Sequence, residues 1–411
     1  MTIFDELKQR NVINNITNEK KLEEFIKNKP GVYVGVDPSF KSMHLGNYYT
    51  LITINRLAKA GFKPYILIGG ATGLIGDPSG KKAERKVLPL DVIRNNIECL
   101  TNQIKSLFDC EIVNNYDFYK DMNILQFLRD VGKLINVNYL LEKEIIKGRL
   151  ESGISYAEFS YNLIQGYDFL NLYKNHNVWM QIGGSDQWGN ITTGIEMIRK
   201  VCGDDNNALG LTINLLTKED GTKFGKSEKG AIYLDSSITS PYQMYQFLVN
   251  QTDADVKKLL LALTFISVDE INSIMNAHNE APFKKAAQKR LAFEIVKDIH
   301  GQDVATKCEE ISAKLFSGEI ASLSHNDLYD TLSSTPSITL SKSTNILDVL
   351  VELGVCPSKS NARTLVQSKS ISINGQLIED INFIVDKENS IDNKFSYIKK
   401  GKKNYFLINW N

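Results

Sequence analysis

Short continuous apolar runs alternate with segments of helix length through the first half of the chain. Residues 32–36 and 65–68 are runs of the first kind; residues 46–60 and 91–108 are segments of the second. Brief apolar runs bounded by turn residues fit strands buried on both faces, so the alternation predicts βαβ units around a parallel sheet. Two later runs, 178–182 and 211–216, extend that sheet, and each leads into a polar or glycine-bearing turn. On such a sheet, ligands sit at the carboxyl ends of the strands. Near residue 240 the pattern changes to helix-length segments, 240–251, 253–264 and 281–301, without strong strand signals. Residues 322–344, rich in serine and threonine and carrying Pro336, read as a connector. Two helix signals follow, 346–353 and 358–369, then a strand-turn pattern at 370–376. The expected organisation is an α/β parallel-sheet domain over 1–220, a loop and linker over 221–240, a helical domain over 241–321, a flexible connector over 322–344 and a small α+β domain over 345–411.

The 411 residues suffice for two or three domains, and 42% hydrophobic content supplies a sizeable core. Lysine plus arginine (48) equals aspartate plus glutamate (48), so a surface for nucleic acid must come from local charge. Such charge lies near the C-terminus. Between Leu353 and Ile378 the charged residues are Lys359, Arg363 and Lys369, with no acid among them; Lys399, Lys400, Lys402 and Lys403 precede Tyr405 and Phe406. Basic groups interleaved with aromatics suit phosphates and bases. The five cysteines are scattered, with no C-x-x-C pair to mark a metal or redox motif, and they fit reduced thiols of a cytoplasmic protein. No apolar run approaches the roughly 18 residues of a membrane span.

Three segments carry candidate chemistry. After the first strand, Gly35-Val36-Asp37-Pro38-Ser39 leads to His44-Leu45-Gly46-Asn47 at a helix start, where free N–H groups and the dipole favour a nucleotide; an ordinary helix start with an incidental histidine is the alternative. After the second, Gly69-Gly70-Ala71-Thr72-Gly73-Leu74-Ile75-Gly76-Asp77-Pro78-Ser79-Gly80-Lys81, followed by Lys82 and Arg85, brings backbone close to a ligand and cations near phosphate. It is not a Walker A loop, because Ile75 stands where that motif needs glycine and Lys82 where it needs serine or threonine. Third, Lys223-Phe224-Gly225-Lys226-Ser227 lies in a polar loop and suits a lid over polyphosphate, unless it is a solvated charge run. A fourth feature is positional: Tyr161, Gln165 and Asp168 are i, i+4 and i+7, along one face of a helix.

In this order and spacing, the first and third segments resemble the HIGH and KMSKS signatures of class I aminoacyl-tRNA synthetases. The glycine-rich loop, the helix around Tyr161 and the run Gln181-Ile182-Gly183-Gly184-Ser185-Asp186-Gln187-Trp188-Gly189-Asn190 resemble the bacterial-type tyrosine-specific family over nearly the whole chain. The resemblance implies a Rossmann-like catalytic domain and an RNA-binding terminal domain. It implies activation of L-tyrosine with ATP to tyrosyl-adenylate and pyrophosphate, then transfer to the 3′ end of tRNA. It further implies that Tyr33 and Asp168 bind the phenol, that Asp77, Tyr161 and Gln165 hold the ammonium group, and that Gln181 belongs to the tyrosine pocket. Gly35, Asp37, Ser39, His44, Gly46, Asn47 and Thr50 would lie beside ATP, with Gly184, Asp186 and Gln187 at or near the ribose. Lys81, Arg85, Lys223, Lys226 and Ser227 would act on the departing pyrophosphate. Lys359, Arg363, Lys369, Lys399, Lys400, Lys402 and Lys403 would face tRNA. Mg²⁺ would arrive with ATP, bound through its phosphates rather than by a protein-held site, and the family implies a homodimer. The chain departs from the commonest pattern at Asn47, at Phe224-Gly225 and at Ser227. Two rivals stay open: the tryptophan-specific synthetases, against which Asp168 opposite Tyr33 argues, and a catalytically silent tRNA-binding paralogue, in which the phosphate cations would have no purpose.

Overall fold

A computed structural model describes residues 1–79, 88–150, 153–219, 221–227, 230–317, 323–333, 335–401 and 404–411. The chain divides into two compact units, one of residues 1–238 with 252–287, the other of 239–251 with 288–411.

The first unit is built on a six-stranded sheet. Its strands are β1 (Ile13–Ile16), β2 (Gly31–Val36), β3 (Lys63–Ile68), β4 (Glu111–Asn114), β5 (Val178–Gly184) and β6 (Leu209–Ile213), in the order β1-β6-β5-β2-β3-β4. All neighbours are parallel except β1 and β6, so the parallel sheet expected from the sequence carries one antiparallel edge. β6 is buried along its whole length, as a strand covered on both faces must be, which is why these strands are legible as unbroken apolar runs. Four crossing helices matter for the site: α1 (Leu45–Lys59), α2 (Leu90–Leu107), α3 (Tyr156–His176) and α4 (Trp188–Cys202). β2 leads through α1 to β3 on one side and pairs with β5 on the other, so a topological switch point opens at the carboxyl end of β2. The register sets Tyr33 beside Gln181 across that opening. Helices α5 (Asp253–Leu263) and α6 (Val268–Glu280) complete this unit. Buried Arg10 and Arg56 donate to backbone carbonyls at the end of α5, among them Thr264 O, and so hold it against α1.

In the second unit a five-stranded sheet has the order Gln376–Leu377, Ile371–Ile373, Phe395–Lys400, Asn404–Trp410, Ser337–Leu340. Helices Ile346–Glu352 and Lys359–Gln367 pack on its core, which includes Ile346, Leu350, Ala362, Val366, Ile371, Ile398 and Ile408. The described residues of the stretch 322–344 do not form a loose connector. It carries helix His325–Leu332, capped by Ser324, and strand Ser337–Leu340, which pairs in parallel with the last strand through Leu407 and Trp410. Serine and threonine there serve as cap and edge-strand residues, roles that local composition does not separate from a linker. Among the described residues no helix is long and apolar enough to cross a membrane.

Candidate active site

The switch point holds a cavity of about 390 Å³. Tyr33, Gly35, Asp37, Ser39, His44, Asn47, Thr50, Asp77, Tyr161, Gln165, Asp168, Gln181, Gly184 and Gln187 all line it. These residues come from β2, the loop after it, α1, the turn after β3, α3, β5 and the turn after β5, and only the fold brings them together.

On α3 the 3.6-residue period turns Tyr161, Gln165 and Asp168 toward the cavity, as the sequence spacing predicts. Asp168 is buried, and its two oxygens accept from Asn115 Nδ2 (2.9 Å) and Tyr119 OH (2.7 Å). Burial pushes its carboxyl up to about 7, against the pull of those two hydrogen bonds. The buried Tyr33 hydroxyl has no hydrogen-bond partner among the described residues, and burial, with Asp168 nearby, raises its pKa well above the usual value. A neutral phenol and a carboxyl group, both buried, thus line the same cavity, suited to a ligand hydroxyl.

Asp37 accepts from Thr72 Oγ1 (2.8 Å) and Tyr161 OH (3.2 Å). Asp77 accepts from Ser79 N (2.9 Å) and Gln187 Nε2 (2.7 Å). Burial, then Asp37 and Asp77, raise the pKa of Tyr161. Three aspartates around one cavity favour a cationic group. Gly35 is open: a Cβ built there meets nothing within 4 Å. At Gly69, by contrast, a Cβ would lie 2.3 Å from both Asp37 Oδ1 and Thr72 Oγ1. Glycine is needed at Gly69 for close approach.

His44 is the N-cap of α1. Its Nδ1 accepts from Gly46 N (3.1 Å) and Asn47 N (3.3 Å), while Asn47 Oδ1 accepts from His44 N (3.1 Å). Asn47, one of the departures from the commonest pattern, therefore closes a reciprocal capping box. With Nδ1 accepting, a neutral His44 ring carries its proton on Nε2. An adjoining cavity of about 400 Å³ shares Asp37, Ser39, His44 and Asn47 and adds Phe40, Met43, Leu100 and Tyr233. The Phe40 and Tyr233 rings lie 4.7 Å apart at 32°. Such an aromatic wall suits a planar heterocycle.

The lysine-bearing loop runs beside the α1 N-terminus. Phe224 is buried, Gly225 has φ +91°, and a Cβ at Gly225 would lie 3.1 Å from Gly46 N. The Phe-Gly departure thus has a packing reason: one residue anchors the loop and the other lets it turn against the helix. Gly46, Asp186 and exposed Lys223 do not line the cavity, although Asp186 lies beside Gly184. Lys81, Arg85, Lys402 and Lys403 lie outside the described residues, as do the side chains of Lys226 and Ser227.

In the terminal unit Lys359 pairs with Asp348, and Lys369 with Glu379 at 2.9 Å. The acid-free stretch is thus flanked in space by acids from outside it. Lys400 Nζ donates to Val355 O, Lys399 lies 5.6 Å from the Tyr405 ring centroid, and Arg363 is exposed. Thr72 lies in the glycine-rich segment singled out above but without a role of its own, and Asn115, Tyr119, Phe40 and Tyr233 lie outside every motif of the sequence. For Asn115 the available signal was position, since it directly follows a strand end.

Residues 26–317 match the family model "tRNA synthetases class I (W and Y)", and residues 327–408 match "Tyrosine--tRNA ligase SYY-like C-terminal domain". The chain is 55% identical over 410 residues to the tyrosine–tRNA ligase of Ureaplasma urealyticum, covering 100% of this chain and 99% of that one. It is 46% identical to tyrosine–tRNA ligase 1 of Enterococcus faecalis, covering 99% of each. Among solved structures, a C-terminally truncated mitochondrial tyrosyl-tRNA synthetase of Aspergillus nidulans superposes with a TM-score of 0.70 at 29% identity, covering 77% of this chain and 94% of that one.

Proposed function

The chain belongs to the tyrosine–tRNA ligases of class I, enzymes that use ATP to join tyrosine to its tRNA, and from that premise we propose how its residues divide the work. Tyrosine enters phenol first. Its hydroxyl meets Tyr33 and Asp168, and its ammonium meets Asp77, Tyr161 and Gln165, with Gln181 closing the wall. The observation that carries this reading is that buried Tyr33 and Asp168 line one cavity together with Asp37 and Asp77. Phenylalanine leaves Tyr33 and Asp168 without a partner, and tryptophan offers an N–H in place of a hydroxyl.

ATP lies across the adjoining cavity, its base against Phe40 and Tyr233 and its phosphates toward Gly35, Ser39, His44, Gly46, Asn47 and Thr50, with Gly184 and Asp186 near the ribose. Asp37 stands between the two substrates. The tyrosine carboxylate attacks the α-phosphate and pyrophosphate leaves. That carboxylate is already ionised at neutral pH, so the step requires positioning and charge stabilisation rather than a protein base. Lys81, Arg85, Lys223, Lys226 and Ser227 supply that stabilisation on the leaving side. Mg²⁺ comes with ATP through its phosphates.

A ribose hydroxyl at the tRNA 3′ end then attacks the adenylate carbonyl. The terminal module holds the tRNA through Arg363, Lys359, Lys369, Lys399, Lys400, Lys402 and Lys403. The working division is the catalytic α/β part over 1–220, the lysine loop over 221–240, the helices over 241–321, of which 252–287 belong to the first compact unit and the rest to the second, and a terminal part drawn to begin near 327, where the C-terminal family model starts. The enzyme works in the cytoplasm as a homodimer. For the dimer, support comes from seven exposed apolar side chains from the end of β4 to the first residue of α3: Tyr116, Ile124, Leu125, Leu128, Val137, Leu150 and Tyr156. ATP–pyrophosphate exchange with each amino acid tests the assignment: exchange with tyrosine alone is expected, and exchange with tryptophan or phenylalanine at a comparable kcat/KM would overturn it.

A further inference from the structure

Gln187 sits among the polar groups of the tyrosine half rather than at the edge of the nucleotide half. Its Nε2 donates to Asp77 Oδ2 at 2.7 Å. Its Oε1 accepts from Gln165 Nε2 at 3.2 Å and from Asn190 Nδ2 at 3.0 Å. Asn190 is fully buried and also donates to Ser79 Oγ at 3.2 Å. Ser79 N in turn donates to Asp77 Oδ1.

The direction of this chain is forced. Amide oxygen and nitrogen are interchangeable in shape, so only the partners decide which end points where. Ionised Asp77 can only accept, so Gln187 must turn its nitrogen toward it. Its oxygen then faces Gln165 and Asn190, so both must present nitrogen. Gln165 is left with Oε1 buried and without a hydrogen-bond partner among the described residues, on a side chain that lines the cavity. That end accepts and cannot donate. It suits an ammonium group and does not suit a carboxylate.

We infer that Gln187 is a positioning residue for amino-acid recognition: it relays the acceptor-only character of Asp77 to Gln165 and locks the Gln165 carboxamide with its oxygen toward the substrate ammonium. The inference rests on the assignment of Asp77 and Gln165 to that ammonium. It moves Gln187 from the ribose side, where the family resemblance sets it, to the amino-acid side. Without Gln187 the Gln165 amide is free to flip, and in half its orientations it turns an N–H toward the cation.

The test compares L-tyrosine with its des-amino analogue, 3-(4-hydroxyphenyl)propanoate, by equilibrium binding to the full-length protein. For Gln187→Met the tyrosine Kd is expected to rise at least tenfold, the analogue's Kd to stay within twofold and the KM for ATP to stay within twofold. Gln187→Leu, equally without hydrogen-bonding capacity, gives the same reading should the methionine variant not fold. In a Gln165→Met background, Gln187→Met should add less than a further twofold, because a relay has nothing left to orient. Parallel loss of tyrosine and analogue binding, or a raised KM for ATP with the tyrosine-to-analogue ratio unchanged, would overturn the relay. Gln165→Met by itself separates the two levels. If it leaves the tyrosine-to-analogue ratio unchanged, the ammonium assignment fails; if it collapses the ratio while Gln187→Met does not, only the relay fails.

Discussion

Asp168 combines full burial with two donors aimed at its carboxylate, and its consequences are measurable at a single position. Asp168→Ala removes the carboxylate proposed to accept from the substrate phenol beside Tyr33. The ratio of kcat/KM for tyrosine over phenylalanine should fall by about 2–4 kcal/mol, or about 30- to 1000-fold, in pyrophosphate exchange; an unchanged ratio would put α3 on another ligand. The pH dependence has a definite sign. With its carboxyl at about 7, against 3.8 for a free aspartate, the folded protein binds a proton that the unfolded chain has released between those values. Asp168 therefore favours the folded state most at low pH, and that contribution is lost as pH rises through about 7. Tyrosine binding runs the other way, because the phenol donates to the ionised form. Its Kd should fall between pH 6 and 8 with an inflection near 7. Tyr119→Phe should move the inflection upward, since the lost hydrogen bond holds the pKa down; a flat profile in both proteins would contradict the assignment. Tyr161, Gln165 and Asp168 were legible from helical spacing, and Tyr33 and the role of Asp77 only through the family resemblance. Tyr119 and Asn115 were not, because a side chain that supports another from a separate element leaves no period or motif of its own.

At the level of elements, the turns after β2 and β3 make opposite demands on glycine. Gly35→Ala places its methyl in open cavity, so the melting temperature should hold while the KM for ATP rises. Gly69→Ala drives a methyl into the Asp37–Thr72 hydrogen bond, and adenylate formation should drop by about 10- to 100-fold through misplaced groups. Equal effects of the two on ATP and on stability would show that the cavity is drawn wrongly. In the lysine loop, Lys223→Ala and Lys226→Ala should slow adenylate formation far more than they weaken tyrosine binding, as expected of groups that meet phosphate most closely during reaction. Parental pre-steady-state rates in both would leave the loop a solvated charge run. The long buried strands and helices were legible because each carries an unbroken apolar run or a 3.6-residue period. β1 and β4 are four-residue edge strands with partly polar faces, too short for either signal. Missing β4 meant missing Asn115, the residue that follows it.

For the whole molecule, the central claim is a division of labour: the switch-point cavity activates tyrosine, and the terminal module serves only tRNA. The boundary expected at 345 lies after residue 327, where the match to the C-terminal family model begins. The pairing of Ser337–Leu340 with the final strand joins segments some 70 positions apart in the chain, and local composition carries no trace of it. A cut at 345 would therefore strip a sheet of its edge strand, whereas a cut at 322 removes the helix His325–Leu332 and the whole sheet together. The salt dependence of tRNA affinity should be steep in the intact protein, because basic side chains displace counterions from phosphate. The most direct measurement is pyrophosphate exchange and tRNA charging by residues 1–322, compared with the full chain, with circular dichroism to establish that the fragment is folded. Tyrosine-dependent exchange within about threefold of full length and loss of tRNA charging are expected; loss of exchange in the folded fragment, or charging at the full-length rate, would contradict the division of labour.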